Sequence, residues 1–161
     1  MTNLKIEFYL RLIFIISLVS IISAYFIEYA LGYQPCNLCL IERIPYGLSI
    51  ILITLNYFFT KNEKFIILSL ILIFFFSFAI SVYHLGIEQG QFEESVVCGL
   101  KNATEIISKE EILKQLQEKT VSCKDVTFRI FGLSLTSINI LLSLILVTLL
   151  TKIYISYEKN K

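Results

Sequence analysis

Hydrophobic residues in this chain gather into four long runs, separated by short polar stretches and one extended loop. The first, Leu12 to Ile27, lies between Arg11 and Glu28; the second, Ile44 to Phe59, between Arg43 and Lys61; the third, Phe65 to Leu85, follows Lys64; the fourth, Gly132 to Thr151, precedes Lys152. A helix that crosses a bilayer needs about 20 apolar residues. The third run meets that length outright, whereas the first and second, at 16 residues each, reach it only if flanking charged side chains snorkel. Run one is read as an uncleaved anchor, because the stretch around Ile21 to Ala24 lacks the paired small residues of a signal cleavage site. The pattern predicts an all-α membrane protein, a four-transmembrane-helix bundle forming one integral domain over residues 1–161. Its spans fall near 10–28, 42–60, 64–85 and 132–153, with loops near 29–41 and 86–131 on one side and both termini on the other.

The second loop has local structure of its own. Ser108-Lys109-Glu110-Glu111 reads as a capping box that opens a short amphipathic helix, with Ile112, Leu113 and Leu116 on one face. Such a helix suits a membrane surface, and equally a solvated helix packed on loop residues.

Composition agrees with the membrane reading: 56% of residues are hydrophobic, against about 45–50% in ordinary soluble domains. Net charge is only +1, and no basic stripe with interleaved aromatics is present, which argues against nucleic acid as a partner. Lys61 and Lys64 in the short connection, and Lys152, Lys159 and Lys161 at the C-terminus, place positive charge beside membrane ends. By the positive-inside rule the termini are cytoplasmic. All four cysteines, Cys36, Cys39, Cys98 and Cys123, then lie in the two exported loops, where disulfides persist.

Cysteine spacing narrows the chemistry. Haem attachment requires a histidine directly after a Cys-x-x-Cys, but Leu40 follows Cys39. Zinc prefers a second close pair or a Cys/His set; here 24 residues lie between Cys98 and Cys123, and the lone histidine, His84, belongs to a span end rather than beside either cysteine. A bridge from Cys98 to Cys123 would restrict a long loop and contribute about 3 kcal/mol on the loop-entropy account. Cys36 to Cys39 closes a loop too small to stabilise much, so a redox role explains that pair better than a staple. If a helix starts near Cys36 after Pro35, its first-turn dipole favours the thiolate, and Cys36, Cys39 and Arg43 stand at i, i+3 and i+7 of one stripe. Arg43 on that stripe can hold an anion; it also fits an interfacial arginine that merely snorkels. His84 ends the third run one turn before Glu88, and an ionisable group near membrane depth there is as well suited to a functional role as to a structural one.

Taken together, Cys36-Asn-Leu-Cys39-Leu-Ile-Glu-Arg43 at the head of span two, the external pair Cys98 and Cys123, "YHLGIE" at Tyr83 to Glu88 and "FGLSLTSIN" at Phe131 to Asn139 resemble the DsbB family. These are bacterial inner-membrane oxidoreductases that generate disulfides, and the resemblance runs from the first span to the fourth. It implies quinone-dependent oxidation of a DsbA-type thioredoxin-fold partner in the periplasm. Carried over, Cys36–Cys39 is the disulfide that passes electrons to ubiquinone or menaquinone, with Cys39 next to the quinone. Cys98–Cys123 is the disulfide that meets the partner, Cys98 being the sulfur attacked and Cys123 its mate. Arg43 matches the quinone-binding arginine, and His84 the histidine near the quinone. Such a division has a physical basis: a partner poised near about −120 mV gives up electrons reluctantly, and a lipid-soluble acceptor must be met where a helix enters the bilayer.

Two other classes compete. A four-span scaffold with a stapled loop, of the tetraspanin kind, has an adjacent-cysteine signature that is absent here and no use for Cys36–Cys39. In a vitamin K epoxide reductase-like quinone enzyme the Cys-x-x-Cys follows the loop pair, the reverse of this order.

Overall fold

A computed structural model describes residues 2–59, 63–93, 98, 122–124, 128–130 and 132–159. The amphipathic helix expected at Ser108 lies outside the described residues. Helix α1 (Thr2–Tyr25) continues through a π-helical turn, Phe26–Ala30. The short α2 (Asn37–Ile41) is followed by α3 (Ile44–Phe59), α4 (Glu63–Glu88), a ribbon of β1 (Arg129–Ile130) and β2 (Leu133–Ser134), and α5 (Leu135–Lys159). Four helical segments, Ile6–Ala30, Asn37–Phe58, Glu63–Glu88 and Leu135–Lys159, are long and apolar enough to cross a membrane.

These helices outrun the apolar runs because charged residues extend them past the apolar belt, as Glu63 and Lys64 do for α4. One break is local. Pro45 has no N–H to give the carbonyl of Ile41, so the helix that starts after Cys36 stops, turns at Glu42 and Arg43, and restarts as α3.

α1 packs on α3, α3 on α4, and α4 most extensively on α5, whereas α1 and α5 barely meet. Three contacts fix the antiparallel α4–α5 register: the ion pair of Lys64 with Glu158, Ser77 with Ser143 at 3.2 Å, and Thr136 with Glu88 at 2.5 Å. The bundle is apolar outside and carries hydroxyls inside. Phe8, Phe65, Phe75, Phe76 and Leu141 are exposed, while Ser17, Ser49, Ser77, Ser81 and Ser143 are fully buried around Phe74, Ile67 and Leu70. Lipid supplies no hydrophobic drive between helices, so small residues that permit close approach and hydrogen bonds such as Ser49 to Ser17, at 2.8 Å, take its place.

α4 ends in a Schellman motif. The N–H of Gln91 donates to the carbonyl of Gly86 at 2.8 Å, that of Gly90 to Ile87 at 3.0 Å, and Gly90 takes the left-handed φ of 73° that the motif demands. A Cβ at Gly90 would meet nothing within 4 Å, so Gly90→Ala isolates the backbone penalty, about 1 kcal/mol. Its thermal unfolding in detergent should come at a lower temperature than that of Gly47→Ala, whose position in α3 has no positive φ and whose added Cβ reaches only Ile21 at 4.0 Å. Equal midpoints for the two variants would refute the capping assignment. The β ribbon, which periodicity does not reveal, turns through Gly132 with φ of 84°. It delivers Ser134 to cap α5 by accepting from the N–H of Ser137 at 3.2 Å.

Candidate functional site

The cysteine pair sits where the broken helix begins. Pro35 leads into Cys36, which caps α2: its Sγ accepts the N–H of Cys39 at 3.2 Å. Cys36 and Cys39 form a disulfide across a Cα separation of 5.1 Å, and Cys98 and Cys123 form a second across 5.5 Å. The two disulfides are neighbours. Cys36, Cys98 and Cys123 are all buried in one apolar cluster with Leu38 and Ile87, and Cys39 packs against it.

His84 lies beside the pair after all, correcting the expectation that it stands apart from both cysteines. Its Nε2 is 3.5 Å from Cys36 Sγ. Forty-eight residues of sequence hide this contact, which exists because α4 runs back along α3 and brings its last turns under α2. The sulfurs of Cys36 and Cys39 and a ring nitrogen of His84 all fall within 4.8 Å of one another, a grouping that could hold a metal ion only if the disulfide were reduced to thiolates.

Behind His84 extends a buried polar network. Its Nδ1 faces Glu42 Oε1 at 3.0 Å and Thr136 Oγ1 at 3.3 Å, and Glu88 Oε1 lies 3.9 Å from its Nε2. The other oxygen of Glu42 accepts from Asn139 Nδ2 at 3.2 Å; that same amide donates to Ser81 at 2.7 Å, and its oxygen accepts from the Tyr46 hydroxyl. No buried side-chain polar atom among the described residues lacks a partner, as groups at membrane depth require.

Arg43 stands in the two-residue turn between α2 and α3, directly before α3 begins. Its Nη1 donates to Glu28 Oε2 at 2.5 Å, and its guanidinium lies over the Tyr25 ring, 5.1 Å from the centroid. Both partners come from the end of α1, so the π-helical turn there serves to present Glu28.

A cavity of about 350 Å³ fills the gap that α1 and α5 leave between them. Cys39, Glu42, Arg43, Tyr46, Thr136 and Asn139 line it together with apolar residues of both helices. Val19 on its wall is also an exposed side chain of the apolar outer surface. The ribbon covers the cavity from the loop side, where Phe128 meets Tyr33 with ring centroids 4.9 Å apart. The two sides of the disulfide therefore differ: Cys39 lines the cavity, whereas Cys36 faces His84, which does not.

Sequence reasoning singled out Cys36, Cys39, Cys98, Cys123, Arg43 and His84. The structure brings all but Arg43 into one cluster, and Arg43 joins Cys39 at the cavity. Glu28, Glu42, Tyr46, Thr136 and Asn139 were passed over. Glu42 carried a usable signal, being an acid between apolar neighbours at a membrane entry. Asn139 and Thr136 look unremarkable in a run of hydroxyl and amide residues until α5 is packed on α4.

Comparison with known proteins accords with this geometry. The chain matches the family described as disulfide bond formation protein DsbB over residues 7–153. It is also 30% identical over 149 residues to the uncharacterized protein RP370 of Rickettsia prowazekii (strain Madrid E), covering 91% of this chain and 86% of that protein. No solved structure matches it. With two neighbouring disulfides on a four-span bundle and a match that runs from the first span into the fourth, the chain belongs to the DsbB family, multi-pass membrane oxidoreductases of disulfide bond formation.

Proposed function

We propose that this protein reoxidises a DsbA-type thioredoxin-fold partner and delivers the electrons to a membrane quinone, ubiquinone or menaquinone. The observation that carries the reading is that Cys39 lines a cavity between membrane-spanning helices while its disulfide mate Cys36 shares one buried cluster with Cys98 and Cys123. In the relay, a partner thiolate attacks Cys98, Cys123 is released and attacks Cys36, and the electron pair of the opened Cys36–Cys39 bond resides on Cys39. Each exchange forms one S–S bond and breaks another, so two electrons and two protons leave the partner's dithiol for every disulfide made there.

The cavity suits a quinone. Its volume lies in the range of about 300–1,000 Å³ typical of small-molecule sites, its walls are largely apolar, and Arg43 supplies a cationic donor for a carbonyl oxygen. A bound quinone would accept two electrons and two protons. Arg43 would hold it, Cys39 would face it, and the helices around the cavity would keep bulk water from the reactive sulfur. Lysines at 61, 64, 152, 159 and 161 support cytoplasmic termini, with both cysteine loops in the periplasm and the bundle in the inner membrane.

Purified protein mixed with reduced DsbA-type partner and a soluble quinone analogue should oxidise many equivalents of the partner, read by thiol trapping. Without quinone, oxidation should stop at the stoichiometry of the two resident disulfides. Absence of turnover with both ubiquinone and menaquinone analogues would remove the proposed quinone relay.

A further inference from the structure

Electrons can cross this site through sulfur, but protons need a separate route, and the polar network supplies one. We propose that Glu42 carries the proton released at Cys36, by way of His84, into the cavity. This deepens the quinone-relay reading and rests on it.

When the reduced pair closes again, the Cys36–Cys39 bond forms and the two sulfurs together give up two electrons and two protons. The electron pair leaves through Cys39 to the quinone-class acceptor. Cys39 lines the cavity and can release its own proton there. Cys36 cannot, because its sulfur is buried and faces His84 Nε2 at 3.5 Å. His84 takes that proton at Nε2 and gives up another from Nδ1 to Glu42 Oε1, 3.0 Å away. Glu42 is, among the described residues, the titratable side chain that both bonds His84 and lines the cavity. Asn139 holds its second oxygen at 3.2 Å, fixing the carboxylate between histidine and cavity.

Every element packed on His84 contributes a neighbour. Glu42 comes from the α2–α3 turn, Glu88 from α4 itself, and neutral Thr136 from α5, whose hydroxyl donates to Glu88 at 2.5 Å. Glu88 is the competing carboxylate, but it does not line the cavity. Tyr46 and Arg43 line the cavity but are bonded to Asn139 and Glu28 rather than to the histidine.

Glu42→Gln keeps the shape and removes the exchangeable acid. Re-oxidation of the pre-reduced protein by a quinone analogue should slow by about 10²-fold, the lower end of what a positioned proton-transfer group contributes. Disulfide exchange with the partner in the absence of quinone should persist, which also reports folding. Glu42→Asp, or added formate with Glu42→Gln, should restore part of the rate, and Glu88→Gln should lose less. A second readout needs no quinone. In Cys39→Ser protein the proton on Cys36 must leave by the same route through His84, so adding Glu42→Gln should slow Cys36 alkylation at neutral pH about tenfold. Unchanged alkylation, equal losses in Glu42→Gln and Glu88→Gln, or failure of both rescues would overturn the proton route. Failure of the parent protein to turn over with quinone would instead reject the relay itself.

Discussion

Cys123→Ala protein is expected to accumulate a mixed disulfide between Cys98 and the proposed thioredoxin-fold partner while losing catalytic turnover. Cys98, left as a thiol, opens the oxidised partner's disulfide, so one bond forms between the proteins as the partner's own bond breaks. The missing Cys123 is the thiol that should pass this linkage onward to Cys36, its neighbour in the buried cluster. The adduct can then only fall back to its starting materials. Because the lost step is an intramolecular attack, whose effective concentration greatly exceeds that of any soluble thiol, turnover should fall by about 10³-fold or more. A reducible band on a non-reducing gel, mapped by peptide mass spectrometry, would identify the cysteine. An adduct on Cys36 rather than Cys98 would reverse the order of the two pairs.

Much of this architecture was legible in the sequence, and the parts that were not share a cause. Four apolar runs announce four spans because the bilayer fixes both length and polarity, a constraint far stronger than helix propensity. The cysteine pairs announce themselves through spacing. What spacing cannot reveal is which helix faces meet: His84 reads as a lone histidine until α4 lies along α3, and Asn139 and Thr136 read as ordinary polar residues until α5 lies along α4. The helix expected to run unbroken from Cys36 through Arg43 is interrupted at Glu42 and Arg43 for a local reason. Pro45 was visible all along, and its missing N–H interrupts that helix. The pairing of Arg43 with Glu28 was hidden more deeply, since it depends on the α1 helix continuing as a π-helical turn past the end of its apolar run.

That pairing leads to the second large effect. Arg43 bonds Glu28, lies over the Tyr25 ring and still lines the cavity beside Cys39, three tasks that a planar guanidinium with five donors can perform together. Arg43→Lys keeps the charge but replaces the fork with a point donor on a flexible stem. Lysine that stays with Glu28 turns from the cavity, and lysine that faces the cavity leaves Glu28 without its partner. Losing one hydrogen bond to a charged group costs about 1.5–3 kcal/mol, so the apparent KM for a quinone analogue should rise roughly tenfold or more. The first exchange with the partner should be retained, since no quinone takes part in it. Glu28→Gln leaves Arg43 a neutral acceptor in place of a carboxylate, and should raise the KM by a smaller factor through looser positioning of the guanidinium. Steady-state rates against quinone concentration, with stopped-flow exchange against the partner alone, separate these effects. If both variants bind quinone as the parent does, Arg43 is an interfacial arginine that Glu28 merely neutralises, and the cavity must find its cationic donor elsewhere.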